Sequence, residues 1–327
     1  MTETIILTRS DIKALVSVPE ALGQTRDAFR LYSTQRSVPA LRVPSPLPHP
    51  ASADASAMIL VPGLVPGVPA YTVKVHSKHP GHKPAIRGVI VLAALETGAT
   101  LAILESGYLT ALRTGLAGAV AADVLERPDA RTLAIIGAGV QGKLQLEALL
   151  LVRPISTVWV YDIEFARARE FAAGNGPRLG LQIEPVDTLD EALANADIVV
   201  TATWATEPFL DPGTIAPGTH LATLGADQPG KAEVSADLLK SSLFVCDDRK
   251  LTVAMGAAAG AGVGSETIDA ELGEIIAGLH SGRSDSNQIT IFSSVGLAFQ
   301  DLVVAWLAYQ EALRRGIGSR VDFQQQG

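Results

Sequence analysis

The sequence predicts an α/β protein: a Rossmann-type doubly wound sheet, preceded by a separate α+β domain. Three observations carry this. Short β-prone runs separated by Pro and Gly fill residues 38–104, which reads as an antiparallel sheet. Between residues 132 and 247 strands alternate with helices, the signature of a parallel sheet. Residues 294–315 read as one strongly apolar helix carrying Leu297, Phe299, Leu302, Val303, Trp306 and Leu307, a spacing that serves core or subunit contact.

Taken in order, Ser17-Val-Pro19-Glu20 has the form of a capping box with Pro near the helix start, and opens a helix that runs to Arg36. The strand runs follow at 40–43, 56–61, 70–75, 87–92 and 100–104, the last two joined as a hairpin by Glu96-Thr-Gly98. Residues 108–125 form a helix so rich in Ala and Gly that other backbones must pack close to it, and it is expected to bridge the domains.

Residues 132–162 organise the remainder. A strand leads into Gly137-Ala-Gly139-Val-Gln-Gly142, then an apolar-periodic helix, then a second strand ending on Asp162. Gly137 allows the turn, Gly139 lets backbone approach a pyrophosphate, and Gly142 lets the helix pack on the strand. Asp162 lies about 20 residues on, where a carboxylate accepts hydrogen bonds from ribose hydroxyls. The stretch therefore reads as a dinucleotide site. Asp162 would repel a ribose phosphate, so NADH is expected over NADPH, with Arg167 and Arg169 able to compensate in part.

Beyond it come a helix at 164–173, a strand at 182–185, a helix from Leu189, and strands at 197–203, 220–224 and 243–247. In such a sheet the ligand lies outside the strand C-terminal ends, where Thr201, Thr203, Gly225, Ala226 and Asp227 fall. Residues 254–264 read as a flexible Gly-Ala loop.

Composition narrows the class. With 47% hydrophobic residues the chain can bury large cores. A net charge of −8 without clustered basic residues argues against a nucleic-acid partner. The apolar stretches are broken by Gly, Arg or Asp too early to span a membrane, and the start lacks the pattern of a signal peptide. The single cysteine, Cys246, sits in an apolar run and reads as core, which fits a reducing, cytoplasmic setting.

Chemistry on an amino or imino acid needs a cation for the carboxylate and a proton donor or acceptor at the nitrogen. Lys74 interrupts the apolar strand Tyr-Thr-Val-Lys-Val; the pattern leaves open whether it faces solvent or is buried with a pKa suited to proton transfer. Arg113 stands on the Ala-rich helix, and its planar fork suits a carboxylate. Arg42, between Leu and Val in a strand, reads equally as a structural ion pair or a ligand contact. Asp227 follows Gly225 beside the expected nicotinamide position and is a catalytic candidate. His76, His79 and His82 lack an acid or cysteine at ligand spacing, so no metal is expected.

Five motifs together resemble the ornithine cyclodeaminase and mu-crystallin family: Thr110-Ala-Leu-Arg113-Thr-Gly, Gly137-Ala-Gly-Val-Gln-Gly142, Gly225-Ala-Asp227-Gln-Pro-Gly-Lys231, Glu271-Leu-Gly-Glu-Ile-Ile-Ala-Gly278 and Ile289-Thr-Ile-Phe-Ser-Ser-Val-Gly296. The resemblance covers nearly the whole chain. It implies a homodimer whose N-terminal sheet, closed by the returning C-terminal helix, binds substrate and joins subunits, with NAD on the Rossmann domain; the expected domains are then a substrate-binding and dimerisation domain of 1–113 with 306–327, and a dinucleotide domain of 114–305. It also implies that Arg42 and Arg113 bind the carboxylate, that Lys74 is catalytic and that Asp227 is the acid beside the nicotinamide. The expected cofactor contacts are Thr114, Gly137, Gly139, Val140, Gln141, Asp162, Thr201, Ala202, Thr203, Gly225 and Val295.

One departure bears on substrate. Where ornithine cyclodeaminases carry a Glu for the distal ammonium, the matching position here is Ser56, which demotes ornithine. Arg87 reads as part of a solvated basic loop or, at its strand start, as a cation favouring a second substrate carboxylate, as in iminosuccinate. The expectation is thus an NAD(P)H-dependent reductase of an α-imino acid, such as a cyclic ketimine or iminosuccinate, reversible as an amino-acid dehydrogenase. The rivals are a cyclodeaminase-type lyase and a non-catalytic dinucleotide-binding protein of the mu-crystallin type.

Overall fold

The architecture is that of a computed structural model, which describes residues 3–35, 40–46, 56–79 and 82–323. The chain divides into two units, Met1–Arg113 with Leu297–Gly327, and Thr114–Gly296. The second boundary lies before Leu297 and not at 305/306, so the whole helix Ala298–Arg315 belongs to the first unit.

The chain opens with β1 (Thr4–Leu7) and α1 (Arg9–Leu15). Here Thr8 and Asp11 form a reciprocal capping box, the Asp11 N–H donating to Thr8 Oγ1 and the Thr8 N–H to Asp11 Oδ2. At α2 (Val18–Thr34) the box expected at Ser17 is not made; its side chain forms no cap bond. Pro19 has no N–H, which removes one of the two donors an N-cap side chain reaches. An antiparallel meander follows, through β2 (Arg42–Pro46), β3 (Ser56–Gly63), β4 (Ala70–Lys78), β5 (Ile86–Ala94) and β6 (Thr100–Glu105). The division between units falls inside α3 (Ser106–Leu125).

The second unit runs β7 (Thr132–Ile136), α4 (Val140–Leu149), β8 (Thr157–Tyr161), α5 (Phe165–Leu179), β9 (Gln182–Pro185), α6 (Leu189–Leu193), β10 (Ile198–Thr201) and β11 (His220–Thr223). It continues with α7 (Ala236–Ser241), β12 (Leu243–Cys246), α8 (Arg249–Met255), α9 (Ala257–Ala261), β13 (Ala270–Glu271), α10 (Leu272–Ile276) and β14 (Thr290–Ser293). All described strand pairs are parallel, in the order β13-β12-β14-β11-β10-β7-β8-β9. β14 therefore enters between β11 and β12, a strand the sequence reading did not assign. It is buried on both faces and shows no alternation. Residues 254–264 are not a flexible loop: they finish α8 and form α9, in keeping with the helix preference of Ala. The small residues of α3 do permit close packing, since a Cβ at Gly115 would lie 2.7 Å from the Leu144 carbonyl oxygen of α4.

Gly296, at φ +83°, interrupts the run expected to be helical from 294, and α11 spans Ala298–Arg315. β15 (Ser319–Val321) then pairs antiparallel with β1, which is parallel to β6. The first unit's sheet, β15-β1-β6-β5-β4-β3-β2, is therefore mixed and not purely antiparallel. The chain enters at β1 and crosses over through α1 and α2 before the meander begins, so β1 can lie parallel to the meander's last strand. α11 packs on β3, β4 and β5, and against α2, with the Phe29 and Phe299 rings 5.2 Å apart.

The pleat sorts this sheet's residues onto two faces. The cross-strand row Arg42–Leu60–Lys74–Ile90–Leu104 is buried. The adjacent row Val43–Ile59–Val75–Val89 is apolar yet 41–49% exposed. Among the described residues, no helix is long and apolar enough to cross a membrane.

Candidate active site

On the buried face of the first unit's sheet, Lys74 is 1% exposed, and its Nζ stands 2.6 Å from Asp301 Oδ2 and 3.4 Å from Thr110 Oγ1. The open question of its orientation is thereby answered: it points away from solvent. Asp301 is fully buried and also accepts from Arg113 Nε at 3.2 Å, while Arg113 Nη1 donates to Gln300 Oε1 at 2.7 Å. β4, the first turns of α3 and the start of α11 thus meet in one charged cluster. Arg42 is buried on the same cross-strand row, two strands from Lys74. Burial lowers the Lys74 pKa, Asp301 pulls it back and Arg113 pushes it down again, leaving it at about 7. A lysine so poised can both give and take a proton near neutrality.

The structure brings Arg42, Lys74 and Arg113 to one face, but not Arg87. Arg87 is exposed and pairs with Ser77 in the β4–β5 register, three residues along from the Lys74–Ile90 pair, and an odd offset puts it on the opposite face. Ser56 opens β3 opposite Lys78; its side chain lies outside the described residues. Sequence reasoning missed Asp301 and Gln300. The available signal was that Asp301 is the one charged residue between Leu297 and Gln310, set between Phe299 and Leu302 in the apolar stripe.

In the second unit, Gly137 has φ +107°, and a Cβ there would come within 2.6 Å of the Ala202 carbonyl oxygen. This close approach joins the ends of β7 and β10, where the sheet order reverses. Gly142 is as tight, its Cβ position lying 2.6 Å from the Gly137 carbonyl oxygen, whereas at Gly139, the N-cap of α4, nothing stands within 4 Å. An open N-cap without a side chain fits a pyrophosphate at the helix start, where Val140 and Gln141 begin α4. The Asp162 carboxylate accepts from the Ala138 N–H at 2.9 Å and the Glu164 N–H at 3.1 Å, which fixes it beside the glycine turn; Arg167 Nη1 is 3.7 Å away.

The other strand ends are held by a residue that the sequence reading did not single out. Buried Glu233 accepts from Thr201 Oγ1, Thr203 Oγ1, the Thr203 N–H and the Gly225 N–H at 2.7–2.9 Å, binding the ends of β10 and β11 together around Ala202. Buried Asp247 does the same after β14, accepting from Ser294 Oγ and the Gly296 N–H on either side of Val295. Burial raises its pKa to about 6 against those hydrogen bonds. Asp227 pairs with Lys231 at 3.1 Å, and Lys231 Nζ lies 4.2 Å from the Trp204 ring centroid. Thr114 begins this unit, its carbonyl oxygen accepting from Gln145 Nε2.

The model of the ornithine cyclodeaminase/mu-crystallin family matches residues 2–316. The chain belongs to this family. Among its relatives, alanine dehydrogenase of Archaeoglobus fulgidus is 34% identical, covering 98% of this chain and 99% of its own. An archaeal alanine dehydrogenase dimer with bound NAD superposes with a TM-score of 0.89 at 34% identity, over 98% of this chain and all of its own. The Delta(1)-pyrroline-2-carboxylate reductase of Thermococcus litoralis, in complex with NADH and L-proline, gives 0.89 at 34% identity, over 97% of this chain and all of its own. Cyclodeaminases are also among the family's matching members. The family relatives thus share the NAD-binding α/β fold while differing in reaction.

Proposed function

We propose that this protein is an NAD(H)-dependent oxidoreductase that reduces the C=N bond of an α-imino acid to the L-amino acid, reversibly. The observation that carries the reading is the buried Lys74–Asp301–Arg113 cluster with Arg42 on the same face: two arginines for a carboxylate and a lysine poised near pH 7 for a nitrogen. The open helix start at Gly139, the turn at Gly137 and the fixed Asp162 carboxylate favour NAD, with Thr114, Val140, Gln141, Thr201, Ala202, Thr203, Gly225 and Val295 completing its contacts. When bound, the nicotinamide supplies or accepts a hydride.

In this reading Arg42 and Arg113 hold the α-carboxylate and so fix the plane of the imine. Lys74 keeps the imine nitrogen protonated, which draws electrons from its carbon and makes that carbon electrophilic. Asp301 raises the proton affinity of Lys74 and anchors Arg113, so one carboxylate sets both partners. Asp227, ion-paired with Lys231, supplies a second carboxylate, in the dinucleotide unit, to stabilise the protonated nitrogen. The exposed row Val43–Ile59–Val75–Val89 supports a homodimer joined through that sheet face, which sedimentation can test.

The deciding experiment follows NADH absorbance with imines generated from keto acids and ammonia, and with Δ1-pyrroline-2-carboxylate. Consumption of NADH with an imine and none with the keto acid alone is expected. Release of ammonia from ornithine with no net NADH change would instead make the protein a cyclodeaminase, and NADH binding without either reaction would make it a binding protein.

A further inference from the structure

The mechanism above leaves His76 unused. It lies two residues beyond Lys74 on β4 and on the same buried face, opposite Met58 on β3 and Gly88 on β5. The residue is 4% exposed, yet among the described residues neither Nδ1 nor Nε2 has a hydrogen-bond partner. A histidine buried only for packing ordinarily satisfies a ring nitrogen. His220 in the second unit does so, its Nδ1 2.9 Å from Thr290 Oγ1. The directly opposite position on β5 has no side chain to offer and no room for one, because a Cβ at Gly88 would meet the Val75 carbonyl oxygen at 2.1 Å and His76 Cβ at 2.8 Å.

The surroundings define what His76 can bind. Burial first, and then the charges of Lys74, Lys78, Arg42 and Arg113, hold its pKa down to about 2. The ring is therefore uncharged and has one N–H to donate and one lone pair to receive. Alternate residues on a strand are roughly 6.6 Å apart. With Lys74 at the imine nitrogen, the imidazole stands one such spacing further on, where the end of a substrate side chain would arrive. Lys78, also buried, follows at the next position on this face. The charges that act most strongly on the ring are those of Lys74, Lys78, Arg42 and Arg113, all of one sign, so the setting around His76 suits a carboxylate and opposes a distal ammonium.

We propose that His76 sets the side-chain specificity of the substrate site: its ring N–H donates to a carboxylate oxygen at the end of the substrate side chain, selecting imino acids that carry a second carboxylate over those with apolar or ammonium-bearing side chains. This rests on the imine-reductase reading and narrows its substrate class. It also moves the recognition of a second carboxylate from Arg87, on the opposite face, to the face that holds Lys74.

The test compares wild type, His76→Leu and His76→Gln on the imines of oxaloacetate and pyruvate with NADH. Wild type should prefer the dicarboxylate imine. His76→Leu should lower the ratio of kcat/KM for dicarboxylate over monocarboxylate by at least about tenfold, mainly through KM, and His76→Gln, which keeps an N–H donor, should recover most of it. Either variant alone reads the ratio if the other does not fold. A wild-type preference for the pyruvate imine, or a ratio unmoved in the variants, overturns the proposal. If wild type reduces no imine, the functional reading fails by itself, and thermal stabilisation of the NADH-loaded protein by L-aspartate against L-alanine takes the place of kinetics. Stabilisation by L-aspartate that His76→Leu removes would still support the proposal, and equal or absent stabilisation would overturn it.

Discussion

Carboxylates do different work in the two units. In the first, Asp301 serves side chains: it is buried against Lys74 and Arg113 and sets how readily a lysine holds its proton. In the second, Asp162, Glu233 and Asp247 serve the backbone, each accepting N–H groups from the segments that follow strands. Loss of a carboxylate therefore has a different consequence on each side. In the first unit it moves a titration; in the second it releases a loop whose N–H groups were fixed.

The largest expected effect is confined to the first unit. Lys74→Ala should reduce turnover by about 10²–10⁴-fold. NADH affinity, read by fluorescence titration, should stay within about twofold. If more than about a tenth of the turnover survives, a barrier change below about 1.4 kcal/mol, Lys74 is not the proton-transfer group.

Asp301→Asn sharpens the contrast through pH. Lys74 is protonated below about 7 and neutral above it. Imine reduction needs the proton present, so its kcat/KM should fall as pH rises through about 7; amino-acid oxidation needs the lysine neutral, so its kcat/KM should rise through the same range. Asp301 pulls the Lys74 pKa upward, hence Asp301→Asn should move both limbs to lower pH and slow imine reduction at pH 7 by about 10–100-fold. A limb that stays in place would separate Asp301 from the proton. Asn is preferred to Ala here because it removes the charge while keeping the side-chain volume and an oxygen that can accept from Lys74 and Arg113.

The matching break in the second unit is Gly137→Ala. Its Cβ would clash with the Ala202 carbonyl oxygen, and the backbone conformation is one that alanine rarely adopts. NADH affinity should fall at least about tenfold, a loss of about 1.4 kcal/mol. Unchanged affinity in a folded variant would show that this turn does not carry the pyrophosphate. The smallest expected effects concern the ribose. NADH should be preferred to NADPH by about tenfold, with Arg167→Ala changing that ratio by less than about threefold, since Arg167 is half-exposed. A clear NADPH preference in kcat/KM would mean that Asp162 does not face the ribose hydroxyls.

The same contrast explains what could be read from the chain. The glycine turn and Asp162 lie within residues 132–162, so spacing alone suffices to propose their chemistry. Lys74 was noticeable as a charge inside an apolar strand, but its partner Asp301 is brought to it only when α11 returns to the sheet, and no local pattern links them. Arg87 shows the complementary limit. Its identity suits a substrate carboxylate, yet which face it occupies depends on the β4–β5 register and not on its own neighbours. β14 was missed for a related reason: four residues buried on both faces carry neither helical nor alternating periodicity.

The two rows of the first sheet make this unit intolerant of one kind of change. Lys74 and Val75 are consecutive, and one belongs to the charged cluster while the other belongs to the exposed apolar row. A single-residue deletion within β4 would turn every following side chain over, carrying His76 and Lys78 out to the exposed face and Val75 and Ser77 into the charged one. Length variation among descendants of this sequence must therefore be absorbed in the connections on either side of β4, while the strand itself keeps its residue count even if its side chains drift.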